Sequence, residues 1–162
     1  MVLVRMPNWK STALTTIRPS ASTNTGVAAT NPANAYDTSL TTFAAIVSNG
    51  LGAQNCQVVY TTFPTLTLPN SGTLTVRRSY SVTKASTQFS QTKIEYSLNS
   101  GSTWTLLEQS PIATTNQTTS DLTLSVSSGQ AMGSVQIRCT ASPSADNSID
   151  ATLDVYDIRV DY

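Results

Sequence analysis

The chain has no histidine, two cysteines and few charges of either sign. Without imidazole it lacks the commonest general base, the commonest zinc ligand and every nucleophile activated by a Ser–His or Cys–His pair. Charged residues make up 11% of the 162 positions, well under the usual quarter, and nine basic side chains are matched by nine acidic ones. Such a sparse, balanced charge gives no field to hold a phosphate backbone or an anionic headgroup, so neither nucleic acid nor a membrane is an expected partner. Long apolar runs are missing too: residues 43–47 fall far short of a bilayer span, and residues 1–7 lack the apolar core of a secretion signal. No glycine-rich phosphate loop occurs.

What is abundant is Ser, Thr and Asn around a normal apolar share of 39%, which is enough to build a core and argues against disorder. The apolar residues alternate with polar ones, the period of half-buried strands. Leu74, Val76, Tyr80 and Val82 oppose Thr73, Thr75, Arg77, Ser79 and Ser81. Ile94, Tyr96 and Leu98 oppose Lys93, Glu95 and Ser97, and Asn99-Ser100-Gly101-Ser102 reads as a hairpin turn into Thr103-Trp104-Thr105-Leu106. Leu122, Leu124 and Val126 mark another strand, as do Val135, Ile137 and Cys139. The last run changes phase once, from Leu153 and Val155 to Tyr156, Ile158 and Val160, which predicts a β-bulge at Tyr156-Asp157.

These signals predict one all-β domain over residues 1–162, an antiparallel β-sandwich, with residues 1–19 as an N-terminal arm or edge strand and residues 19–32 as a long loop. A helical turn over residues 34–41 is the sole helical expectation. The expected core is Leu74, Val76, Ile94, Tyr96, Leu122, Leu124, Val135, Ile137, Leu153 and Val155. Cys56 and Cys139 lie in strand-like runs, as two buried thiols or as a cross-sheet disulfide.

Three stretches resemble the galactose-binding-like jelly rolls, the discoidin or coagulation-factor type C modules. They are Asn34-Ala35-Tyr36-Asp37-Thr38-Ser39-Leu40-Thr41-Thr42-Phe43, Ile94-Glu95-Tyr96-Ser97-Leu98-Asn99-Ser100-Gly101-Ser102-Thr103-Trp104, and Leu153-Asp154-Val155-Tyr156-Asp157-Ile158-Arg159-Val160. Thr38 stands where that family usually carries glycine, and Phe43 where it carries tryptophan. The resemblance implies a jelly-roll sandwich and, as the one candidate cofactor, a structural calcium held by Asp37, Thr42 and Asp157; no cofactor is required otherwise.

Fold alone does not name a function. Glu95 and Glu108 are the carboxylate pair that a glycosidase would need, but both read as solvated surface charges, and no enzyme is expected. Tyr36 and Trp104 are candidate sugar-stacking aromatics, Trp9 and Tyr60 being further aromatics available for the same role, although Trp104 also reads as core because it shares its parity with Leu106. Arg77 and Arg78 are candidate ligand or partner contacts, since one of two adjacent arginines in a strand must break the inward alternation. Val2, Leu3, Val4, Met6 and Trp9 form an apolar arm, a candidate assembly contact with other copies or with other virion proteins. The leading expectation is a non-enzymatic structural protein of a virion surface, a phage head-decoration, tail or adhesin component; the alternative is an extracellular carbohydrate-binding module.

Overall fold

A computed structural model describes residues 14–50, 54–85, 88–144 and 149–162. The arm residues Val2, Leu3, Val4, Met6 and Trp9 lie outside the described residues. Among the described residues twelve strands follow in chain order: β1 Thr16–Ile17, β2 Ala21–Gly26, β3 Ala44–Val47, β4 Cys56–Thr61, β5 Gly72–Val82, β6 Lys84–Ala85, β7 Gln88–Phe89, β8 Gln91–Ser97, β9 Thr105–Gln109, β10 Thr115–Val126, β11 Gln136–Ser142 and β12 Thr152–Asp161. One sheet runs β1-β12-β5-β10, with β3 sharing the β1 edge of β12; the second runs β2-β4-β11-β8-β9; β6 and β7 form a short ribbon. All the strand pairs are antiparallel. The molecule is therefore the expected antiparallel sandwich.

The alternation read in the sequence sets the two inner faces. Leu74, Val76, Ile94, Val135, Ile137, Leu153 and Val155 are buried, together with Ile46, Val58, Tyr60 and Ile158. Tyr96, Leu122 and Leu124 are only partly buried. For the two leucines the reason is position: β10 is the free edge of its sheet, so one flank of each side chain lacks a neighbouring strand. The phase change in the last strand is a bulge between Val155 and Asp157, where the sequence placed it.

Two expectations need correction. The Ser/Thr/Asn-rich stretch 19–32 is not one long loop, because Ala21–Gly26 pairs with β4 as a largely exposed edge strand. Threonine suits such a half-solvated pleat. The helical turn runs over Pro32–Tyr36, earlier than expected, and a second 3-10 turn at Met132–Ser134 was not foreseen. Of the presumed arm, Thr16–Ile17 is an edge strand on β12.

Cys56 and Cys139 are free, buried thiols on adjacent strands of the same sheet, so a cross-sheet disulfide is ruled out by topology. Burial pushes both thiols above their ordinary ionisation range, Cys139 furthest, with the Glu95 carboxylate adding to it.

Candidate functional site

The hairpin from β8 to β9 decides which side chains face solvent on the second sheet. At the turn, Ser102 N–H donates to Asn99 O at 3.2 Å, while Ser100 and Gly101 both take positive φ, 57° and 83°. A Cβ on Gly101 would lie 2.9 Å from Gln136 Oε1 and 3.5 Å from Trp104 Cζ2, so glycine answers both the backbone sign and the crowding. Beyond the turn, Ile94 pairs with Glu108 but Glu95 pairs with Leu106, leaving Leu107 as a bulged residue.

That bulge reverses the expected facing. Leu106 is 53% exposed, and Leu107 packs against the core instead. Trp104 is only half-buried, and its ring carries the Arg138 guanidinium 4.2 Å from its centroid. Arg138 Nε in turn donates to Glu95 Oε2 at 2.8 Å. Trp104 is therefore an outer-face aromatic, and the core reading drawn from Leu106 is overturned. Glu95 lies on that same outer face, whereas Glu108 sits opposite the buried Ile94 and faces inward. The two carboxylates are on opposite faces of one sheet and cannot flank a single substrate.

Registers across the sheet align outer-face side chains into rows. Thr23, Val59, Arg138, Glu95 and Leu106 form one; Thr25, Gln57, Thr140, Lys93 and Gln109 form the next. Gln57 Nε2 donates to Thr140 Oγ1 at 3.2 Å. At the β2–β4 end a depression of about 280 Å³ is lined by Thr25, Gly26, Gln54, Asn55 and Gln57. Beside the turn, a larger one of about 520 Å³ is lined by Thr65, Leu66, Thr67, Ser100, Ala131, Gly133 and Ser134. The face between them carries amides and hydroxyls among Val59, Leu106, Lys93 and the Arg138–Glu95 pair, with one indole at its corner.

The other expected site residues are placed elsewhere. Tyr36 is partly buried and packs against the core, its ring 6.2 Å from that of Tyr60 in an edge arrangement, and Tyr60 itself is fully buried. Arg78 takes the inward parity of β5 and is buried; its Nε donates to Glu108 Oε2 at 2.7 Å, its Nη2 bonds Glu108 Oε1, and its Nη1 bonds Ser120. It is an interior group and not a ligand contact. Arg77 lies on the outer face near Asp121, 3.9 Å away. The adjacent pair does coincide with bulges, but on the neighbouring strands: β10 slips between Gln117 and Ser120, and β12 between Val155 and Asp157, on either side of Arg78.

The calcium set does not fit. Asp37 accepts from Ser39 N–H and Thr42 Oγ1, both at 2.8 Å, so these two positions do come together. Asp157, however, is 1% exposed and has both carboxylate oxygens taken by guanidinium groups, Oδ1 by Arg18 at 2.9 Å and Oδ2 by Arg159. A cation there would have to displace two fixed positive charges. Its hydrogen bond holds the Arg159 guanidinium above its ordinary value. Among the described residues no group of three His, Cys, Asp or Glu side chains is placed to hold a metal.

No protein-family model and no curated protein sequence matches this chain. Among solved structures it is similar to TmCBM61 in complex with beta-1,4-galactotriose, at 8% identity over 90% of each chain with a TM-score of 0.43. It is similar to truncated AlyQ with CBM32 and alginate lyase domains, at 14% identity, 92% of this chain, 33% of that chain and a TM-score of 0.40. It also resembles the Stig cyclase Fisc from Fischerella sp. TAU in complex with (3Z)-3-(1-methyl-2-pyrrolidinylidene)-3H-indole, at 14% identity, 91% and 83% coverage and a TM-score of 0.43. These are likenesses of fold alone. They assign no ligand to this chain.

Proposed function

We propose that the protein is a non-catalytic binding module that holds a neutral glycan on the outer face of the β2-β4-β11-β8-β9 sheet. The observation that carries this reading is the Trp104–Arg138–Glu95 arrangement, an indole fixed on a sheet surface by a guanidinium whose own charge is already neutralised. With Arg138 on one face, the remaining face and rim of the indole serve a sugar ring through its C–H groups. Gln57, Gln136, Thr23 and Thr61 supply donors and acceptors for hydroxyls along the sheet face. At about 4.8 Å per strand, the five strands give a platform about 19 Å wide, room for more than one sugar residue. The near-absence of net charge suits a neutral ligand. The virion-assembly reading puts its assembly contact on the apolar residues of 1–10, outside the described residues, and no contact among the described residues favours it.

The test is calorimetric titration against a panel of neutral oligosaccharides. Trp104→Ala is expected to weaken binding about tenfold or more, as loss of an aromatic stacking surface does, with the melting temperature close to that of the wild type. Failure of every neutral glycan to bind, or full retention of affinity in Trp104→Ala, would sink the proposal.

A further inference from the structure

We infer a second binding site, independent of the first, on the outer face of the opposite sheet: a notch at Asp154 that takes an alkylammonium group, the chemistry of a lysine side chain. Three neighbouring rows build it. The middle row is made of small residues around the carboxylate, Thr30, Ala45, Asp154 and Ser79, set by the Thr30–Ala45 bridge and the pairings of Asp154 with Ala45 and Ser79. On one side stand Phe43 and Tyr156, ring centroids 5.3 Å apart and tilted by 51°. On the other are Val47, Thr152 and Ser81. Ser79 stands between floor and wall: it pairs with Asp154 in the register, and its hydroxyl lies 3.5 Å from the Tyr156 hydroxyl.

The choice of a cation follows from comparing the acidic groups. Among the described residues, Glu95, Glu108, Asp121, Asp157 and Asp161 each have an arginine. Asp37 and Asp150 each accept a backbone N–H, from Ser39 and Gly50. Among the described residues Asp154 has neither an arginine nor a backbone N–H. Burial holds its carboxyl above the usual carboxylate range, as expected of a partly buried anion with no counter-charge among the described residues. An ammonium group supplies that charge and places its methylenes against Phe43, which is 39% exposed, and Tyr156, whose ring faces attract cations.

Nuclear magnetic resonance reads this directly, by titrating the folded chain with n-butylammonium chloride and following the Phe43 and Tyr156 ring resonances, with 1-butanol as the uncharged control. The expected result is a saturable shift with the ammonium alone. Asp154→Asn should weaken it about tenfold or more through loss of the charged acceptor, and Phe43→Ala about two- to fivefold. Trp104→Ala should leave it unchanged, which separates this site from the glycan face. Equal shifts with 1-butanol, saturation of the same resonances by a neutral oligosaccharide or by calcium, or wild-type affinity in a folded Asp154→Asn variant would each overturn the assignment.

Discussion

The Arg78–Glu108 pair offers the sharpest test of how the two sheets are held together. Arg78 sits on β5 of one sheet and Glu108 on β9 of the other, and both point into the interlayer near the free edge marked by β10. The guanidinium is bidentate to the carboxylate and also bonds Ser120 O, 3.3 Å from Nη1. Their side chains are 6% and 20% exposed, so the arginine is the more deeply buried partner. Removing one member of a buried pair costs about 3–5 kcal/mol because the other charge is left without compensation. The two single substitutions should not cost the same. Glu108→Leu orphans a guanidinium almost out of reach of water and belongs at the upper end, whereas Arg78→Met orphans a carboxylate that water can still reach and belongs at about 2–3 kcal/mol.

The double substitution Arg78→Met with Glu108→Leu removes both charges and keeps the apolar stems, so it should lie within about 1 kcal/mol of the wild type or above it. Urea unfolding of the four proteins gives the cycle, and added salt should change the coupling little because the pair is shielded from bulk ions. Tyr80 supplies an independent readout: its phenol is held above its ordinary range by burial first and by Glu108 second, with Arg78 opposing. Arg78→Met should raise it further, and Glu108→Leu should lower it. Near-additive single effects, or a near-neutral Glu108→Leu, would refute the account of an interior charge pair.

Two further outcomes are expected. Because burial keeps Cys139 protonated in the folded state while an unfolded thiol ionises from about pH 8.5, stability should be complete below that pH and fall above it by about 1.4 kcal/mol per pH unit for this group; Cys139→Val should reduce the slope seen in urea titrations from pH 7 to 10. Thr38 adopts φ 72°, a left-handed conformation costly for a β-branched residue, so Thr38→Gly should stabilise the fold by about 0.5–1 kcal/mol after the added chain entropy of glycine, measured by the same unfolding; a destabilised variant would contradict the strain.

Much of the fold was legible because the inner faces follow a simple two-residue rhythm. The slip at Tyr156-Asp157 could be read from the sequence since apolar residues continue on both sides of it, and the phase change is visible as a change of parity. Edges were less legible. Nothing in Leu122 or Leu124 announces that β10 has a neighbour on one side only, and the polar stretch Ala21–Gly26 carries no apolar alternation by which a strand is recognised. At Thr38 the backbone turns left-handed with a residue ill-suited to it, because the surrounding loop, pinned by Asp37 to Ser39 and Thr42, sets the backbone.

The site was misread at a bulge that apolar parity could not reveal. Through Trp104, Leu106 and Glu108 the parity is unbroken, and a strand with no irregularity would put all three on one face. The slip opposite Ile94 and Glu95 falls at Leu107, between an apolar residue and a charged one, so that either phase buries one leucine and exposes the other. Sequence alternation is silent when both phases are equally apolar. The charges hold the deciding signal: Arg78 sits at an inward position of β5, where an unpaired guanidinium is not tolerated, and it requires an acidic partner across the interlayer. Glu108 meets that demand in the phase that sends Trp104 outward to Arg138, and Arg138 then needs Glu95 on the same outer face. Two arginines at opposite parities thus fix the phase of the hairpin, and with it the only outward-facing tryptophan among the described residues.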